Sequence, residues 1–429
     1  MIKHWQINFE TDKPKIVYAG IHLKYLPQIA PLLRDYEPIF IARDHEDNLP
    51  KNTIIVDFDD KDEQKRYRMR QFEFQPLISK EKKIQDLFSK ILFDQDMLYI
   101  KPYKVTRHLN FQNPFVDILG PNGQAALKAN NKIFQRRNLE GKVSMAPGGL
   151  YTKNELENAF DQYSGNDGVF LSTGVGGGGS DARKVRSKEE LAKVKEELDS
   201  DWYVVNSWIP DVSSSPCING IVARDGSRVL FSLSEQRFPI PLCCDGSEYP
   251  TNLGKDALKK IDEETNIVAD QLVKIGFEGY FGVDYIVRGD EVYFVEINAR
   301  YNGCSGEVIL AHELSNIRGL TIPEIELYVH QNGTIPSGVS SPPNNLFWEK
   351  SAFYNNSPVR IKDNVGPYDE GVLFRERKSG IFNTYAPETV VQAGRPIGTL
   401  VSVADSMYER SEGMKEKIAE LENSFEVLD

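Results

Sequence analysis

The sequence predicts an α/β (α+β) protein of about three units, and three observations carry that reading. Apolar β-rich runs alternate with helical periodicity through the first 120 residues, a glycine-rich loop stands between two β-rich runs mid-chain, and a hairpin bearing carboxylates follows it. With 40% hydrophobic and 10% aromatic residues, the 429-residue chain has enough apolar side chain for packed cores of that number.

The first unit is placed at residues 1–120. KIVYAG (15–20), PIFIAR (38–43), MLYIKPY (97–103) and VDILG (116–120) are its β runs, and Leu26, Ile29 and Leu33 mark a helix between the first two. Strands alternating with helices imply a mainly parallel sheet. Gly120-Pro121 is the breaker that closes it. Residues 121–315 carry the chemical motifs. Residues 316–429 form an α+β region with short β runs EKSAFY, GVLFRER and TLVSVA and a charged amphipathic helix, SEGMKEKIAELENSF.

A net charge of −12 and a pI near 5.2 argue against nucleic acid or anionic membrane as a partner. No apolar run approaches the roughly 20 residues needed to span a bilayer. MIKHWQINFETDKPK lacks an apolar signal core. Cys217, Cys243, Cys244 and Cys304 show no CxxC spacing and read as reduced thiols of a cytoplasmic protein, with only Cys304 near a proposed site.

The most informative stretch is GYFGVDYIVRGDEVYFVEINARYNG (279–303). Alternation along a strand puts Glu296 and Asn298 on one face, with Asp284 on the partner strand. A three-residue loop, Gly289-Asp290-Glu291, would set Asp284 opposite Glu296; a two-residue loop would set it opposite Val295 and dismantle the cluster. Two carboxylates and an amide oxygen suit Mg²⁺, one ion or two, with Mn²⁺ as a substitute. Arg300 lies two residues further on the same face, in reach of a phosphoryl or acyl-phosphate oxygen.

GVFLSTGVGGGGSDARKV (168–185) holds five glycines in six positions. It contains GxGxxG, but the next helix signal is the later Ser187-to-Glu190 capping box, so a dinucleotide turn is rejected. Ser180 stands where a Walker lysine belongs, so a P-loop is rejected too. What remains is a β–loop–β flap whose backbone N–H groups at Gly176, Gly177, Gly178 and Gly179 can approach phosphates closely.

The Asp284, Glu296-Ile297-Asn298-Ala299-Arg300 pattern resembles the ATP-grasp superfamily, which includes biotin carboxylase, D-alanine–D-alanine ligase and glutathione synthetase. The resemblance runs over roughly residues 121–315. It implies an N-terminal Rossmann-like pre-ATP-grasp domain, a flap subdomain at about 145–205, a metal hairpin at 279–300 and a C-terminal β/α region. It also implies Mg²⁺ on Asp284, Glu296 and Asn298, and Arg300 on the transferred phosphoryl group. ALKANNKIFQRR is similar to the segment whose lysine, here Lys132, contacts phosphate. DWYVVNSWIPD is similar to the adenine hinge, with Asn206, Ser207 and Ile209 the matching positions and Asp211 or Ser213 left for ribose.

One departure stands out. The strand before the glycine loop lacks the family's second lysine; the matching position is Leu171 or Ser172, and either Ser172 or Thr173 with the loop amides, or Lys184 on the return strand, is the candidate substitute. Gln236 and Arg237 are weaker candidates for substrate contact, and His312 weaker still.

The resemblance implies an ADP-forming ligase that activates a small-molecule carboxylate as an acyl phosphate and couples it to an amine, in peptide-ligase or secondary-metabolite chemistry. The alternatives are a thiol acceptor (coenzyme A or an acyl carrier protein) and a nucleotide-binding protein without catalysis. Ligases of this type are often homodimers.

Overall fold

The computed structural model describes residues 2–21, 26–43, 49–56, 71–176, 181–238, 242, 244–316, 319–340, 345–366, 369–382 and 385–428. Its first sheet has six strands in the order Ile2–Gln6, Thr53–Val56, Glu37–Ala42, Lys15–Gly20, Leu98–Pro102, Val116–Ile118. All neighbours are parallel except the first pair. All six residues of Lys15–Gly20 are buried, as an inner parallel strand requires when both faces are covered. Val17, Ile39 and Ile41 meet helices Gln71–Lys80 and Lys82–Asp94 on one face, while Ile16, Tyr18 and Phe40 meet helices Ser305–Ser315 and Ile322–Asn332 on the other. The predicted parallel sheet is therefore present.

A four-stranded antiparallel sheet follows, in the order Gly148–Thr152, Trp202–Ser207, Val169–Ser172, Ala182–Val185. Helices Leu156–Tyr163 and Lys188–Glu197 bury Leu156, Phe160, Leu191 and Val194 against Val169, Leu171, Tyr203 and Val205. Ser187 caps the second helix by accepting from the Glu190 N–H, as its capping signal predicts. The glycine-rich segment thus connects two antiparallel strands, and a strand leads out of it rather than a helix.

The third sheet is the largest. Its order is Glu291–Asn298, Gly279–Arg288, Pro216–Val222, Ser234–Gln236, Gly246–Tyr249, Phe347–Tyr354, Pro396–Ala404, Ser379–Phe382, with Arg228–Leu230 beside Pro216–Val222. Helix Lys255–Lys274 covers the hairpin, packing Ile261, Val268 and Leu272 on Phe281, Val283 and Val287. A buried triad ties the first sheet to the chain just past the hairpin: Lys101 and the Tyr301 hydroxyl both donate to the Glu326 carboxylate.

The structure corrects one C-terminal expectation. GVLFRER is not a strand but part of helix Glu370–Glu376. The Asp369 side chain accepts from the Val372 N–H and starts the helix, and Arg377 at φ +54 ends it. Adjacent Leu373 and Phe374 are both buried, which an alternating strand with one wet face would not allow. EKSAFY and TLVSVA do lie in strands, and the charged segment is helix Met407–Asn423.

Candidate active site

The hairpin reaches its facing pair by a different route from the one expected. Arg288 pairs with Glu291, so the loop has two residues, with Gly289 at φ +58. That register would bring Asp284 opposite Val295. A β-bulge intervenes: Tyr285 pairs with Phe294, Asp284 pairs with Glu296, and Val295 is the extra residue, 41% exposed. The three-residue loop is therefore wrong and the facing of Asp284 and Glu296 is right, because the spare residue sits in the strand.

Asp284 and Asn298 are buried, and the Asn298 amide N–H donates to Asp284 Oδ2 at 2.8 Å. That bond spends the amide nitrogen and leaves its oxygen as the atom able to ligate. Asp284 Oδ1 is buried with no hydrogen-bond partner. An orphaned carboxylate oxygen is costly unless a cation or donor meets it. Burial first, then the charge of Glu296, pushes the Asp284 carboxyl up to about 7. The donor set thus fits a hard divalent cation with two carboxylates and one amide oxygen, the remaining ligands being phosphate and water. Among the described residues no three His, Cys, Asp or Glu side chains converge on a metal position.

Lys132 opens helix Lys132–Leu139, where the Asn131 side chain accepts from the Phe134 N–H as cap. Its own backbone N–H donates to Gly174 O at 2.8 Å, which pins the helix start to the glycine segment. Its ammonium lies between Asp181, at 3.0 Å, and Glu296, at 3.1 Å. Burial works to lower its pKa, but these two carboxylates outweigh that and hold it up. Arg300 donates to Asn130 Oδ1 at 2.8 Å, and the same oxygen accepts the Ala299 N–H.

A cavity of about 580 Å³ joins these groups, bordered by Lys132, Asp181, Asp284, Glu296, Asn298 and Arg300 at one end and by Asn206, Ser207 and Ile209 at the other. Ser172, almost wholly buried, lines it as well. At the hinge the Asn206 side-chain Oδ1 already accepts from Arg136 at 3.1 Å, and the Ser207 N–H is given to Pro147 O. Of the two backbone N–H candidates, only that of Ile209 is unspent among the described residues. Gly176 packs so closely on Asp181 that a Cβ there would lie 2.0 Å from the carboxyl carbon, so this position requires glycine. Gly177, Gly178 and Gly179 lie outside the described residues.

Other expectations fall away. Lys184 sits over the Trp208 ring at 3.9 Å and does not border the cavity. His312 is buried against Phe231, and burial pushes it down to about 4. Gln236 borders the cavity, whereas Arg237 is held by Glu248 and Glu349. Cys304 is not the lone thiol near the site: Cys217 pairs with Asp284 across strands, Cys244 borders the cavity, and Cys304 touches both. A second cavity, about 480 Å³, includes Glu235 and Glu248. Glu235 pairs with Pro216, the neighbour of Cys217, so it faces away from Asp284; its carboxylate accepts from Ser214 and Ser215, while Glu248 pairs with Arg237.

Sequence reasoning missed Asp181, Asn130 and Arg136. Asp181 was legible as the residue preceding the return strand. Asn130 and Arg136 carried no signal beyond flanking Lys132.

Comparison with known proteins bears on the fold. Residues 129–304 match the sequence profile of the ATP-grasp domain. Biotin carboxylase from Campylobacter jejuni, solved as a β,γ-ATP complex, is similar in structure at 16% identity and TM-score 0.67, covering 97% of this chain and 92% of that one. N5-carboxyaminoimidazole synthase from Aspergillus clavatus, with ADP and 5-aminoimidazole ribonucleotide, aligns at 16% identity and TM-score 0.60 over 96% and 99%. The N5-carboxyaminoimidazole ribonucleotide synthetase of Thermus thermophilus aligns at 15% identity and TM-score 0.60 over 96% and 99%. No curated protein matches the sequence. The chain thus has the ATP-grasp fold, and residues 129–304 match the ATP-grasp domain profile. The matched segment carries Lys132, the glycine-rich segment, strand Trp202–Ser207 and the carboxylate hairpin. Among the described residues no helix is long and apolar enough to cross a membrane.

Proposed function

We propose that this protein is an ATP- and magnesium-dependent, ADP-forming ligase that activates a carboxylate as an acyl phosphate and joins it to an amine. The carrying observation is the single strand face that holds Asp284, Glu296 and Asn298 beside Arg300 and Lys132, on the same cavity as Asn206, Ser207 and Ile209. Asp284, Glu296 and Asn298 would hold Mg²⁺, which supplies neutralisation of the polyphosphate charge. Lys132 and the flap N–H groups bind the phosphates. A substrate carboxylate oxygen attacks the γ-phosphorus, and ADP leaves. Arg300 holds the acyl phosphate while an amine attacks the acyl carbon and inorganic phosphate departs. No protein nucleophile is required; positioning and fixed charge do the chemistry.

The units are taken as 1–120, 121–315 and 316–429, with the site in the second, in a cytoplasmic protein. Amino acids or small peptides are the proposed substrates. The test is an ADP-release screen over amino-acid pairs, with mass spectrometry on each positive well. An amide product supports the reading, and a thioester product formed with coenzyme A or a carrier protein would replace it with the thiol-ligase alternative. A second reading, nucleotide binding without turnover, is favoured by Ser172 at the lysine position and by Asp181 already paired to Lys132. It predicts ATP-dependent thermal stabilisation with no ADP formed in any mixture.

A further inference from the structure

Arg300 leaves the hairpin just after its last paired residue, because strand Glu291–Asn298 ends where Asn298 faces Gly282. Past that point no ladder aims the chain, and a side chain from a neighbouring helix does so instead. Asn130 is the C-cap of helix Gly123–Ala129, and its amide is committed at both ends. Its Nδ2 donates to Ala126 O at 2.7 Å. Its Oδ1 accepts the Ala299 N–H at 3.1 Å and an Arg300 Nη1–H at 2.8 Å. A carbonyl can only accept, and both partners of the oxygen can only donate, so the amide has one orientation. Gln135 adds a second tie between the same helix end and the same strand end, donating to Ala129 O at 2.7 Å and to Ile297 O at 3.2 Å.

The chemical character of this holder matters. An arginine fixed by a carboxylate has its charge matched, as Arg136 has by Glu140 and Arg228 by Asp270. Arg300 is fixed by a neutral oxygen. Among the described residues Asn130 is its one hydrogen-bond partner, and it makes no ion pair. The acids that border the cavity with it are engaged elsewhere: Asp284 accepts from Asn298, and Asp181 and Glu296 share Lys132. The other guanidinium N–H donors are therefore unspent, on a residue that borders the cavity. A carboxylate at position 130 would aim the guanidinium equally well, but it would cancel much of the charge that an anion needs.

We propose that Asn130 is a positioning residue: it aims Arg300 at the transferred phosphoryl group while leaving the guanidinium charge for that anion. This rests on the ligase reading of the same cavity, in which Arg300 holds the acyl phosphate. Asn130 does not itself border the cavity, so its effect on a ligand passes through Arg300.

The test is a double-mutant cycle with inorganic phosphate as probe on the full-length protein loaded with MgADP, read by titration calorimetry. Asn130→Ala is expected to weaken phosphate binding about 10-fold while MgADP affinity stays within about twofold. In an Arg300→Ala background the same change is expected to alter phosphate affinity by less than about twofold, because there is nothing left to aim. Asn130→Asp keeps an oxygen for both donors and is expected to weaken phosphate by a similar ~10-fold through charge alone. It decides the matter if the alanine variant unfolds or if Arg300→Ala abolishes phosphate binding outright: weaker phosphate at unchanged MgADP affinity supports the proposal, and unchanged phosphate affinity overturns it. An equal loss from Asn130→Ala in both backgrounds also overturns it, since Asn130 would then serve the fold. So does a parallel loss of MgADP and phosphate affinity. Phosphate binding that is absent from the MgADP-loaded wild type, or indifferent to Arg300→Ala, removes Arg300 from the anion site and this proposal with it. Wild-type protein that fails to bind MgADP refutes the nucleotide reading itself, a result distinct from the others.

Discussion

Two lysines in this molecule each sit between two carboxylates, and they do different work. Lys350 lies 2.5 Å from Glu307 and 2.9 Å from Glu370, with all three side chains enclosed. Lys132 lies 3.0 Å from Asp181 and 3.1 Å from Glu296 on the wall of a cavity. In both cases burial would lower the lysine pKa and the paired acids raise it instead. The ion-pair geometry alone therefore does not separate scaffold from site. What separates them is where the acids come from. Glu307 and Glu370 belong to helices packed on the sheet, whereas Asp181 belongs to the flap and Glu296 to the bulged hairpin.

The sharpest contrast should come from breaking each cluster in turn. Lys350→Met leaves two buried acids unpaired, so unfolding by denaturant should show a loss of about 3–5 kcal/mol. ADP release per folded molecule should stay within about twofold. Glu296→Ala should do the reverse. Substrate-dependent ADP release should fall at least ~100-fold, while stability changes by less than about 1 kcal/mol because Lys132 keeps Asp181. Near-normal turnover in that variant would remove Glu296 from the metal site and erase the distinction between the clusters.

A smaller effect bears on the flap. If Asp181 competes with phosphate for Lys132, Asp181→Asn should tighten MgADP about fivefold, roughly 1 kcal/mol, by equilibrium titration. Weaker binding would instead make Asp181 part of the ligand shell.

The smallest effect is in pH. Asp284 is raised to about 7 in the folded chain, so its neutral form is favoured there. Its contribution to metal-free stability is present at low pH and lost as pH rises from the ordinary carboxylate range through about 7. Mg²⁺ needs the ionised form, so the stabilisation it confers should grow across the same interval. Melting curves with and without Mg²⁺ at pH 6 and 8 check this, and Asp284→Asn should flatten both trends.

The parallel sheet was legible because its strands are continuous apolar runs set off by turn residues, and both of its faces are covered. The carboxylate face was legible because strand alternation is rigid over a few residues. The bulge was not, since an extra residue in a strand and an extra residue in a loop give the same spacing between Asp284 and Glu296. GVLFRER was misread because its helix depends on one cap, Asp369, rather than on a long periodic face.

The bulge at Val295 also has a bearing on engineering. Because one surplus residue absorbs the parity mismatch, the tip of the hairpin and its catalytic half keep independent phase. Relocating that surplus, by deleting Val295 and inserting one residue after Gly289, should preserve which side chains meet. Homologues of equal length could thus differ in tip shape while presenting the same ligands, and a gap in an alignment here would mark a trade between strand and turn.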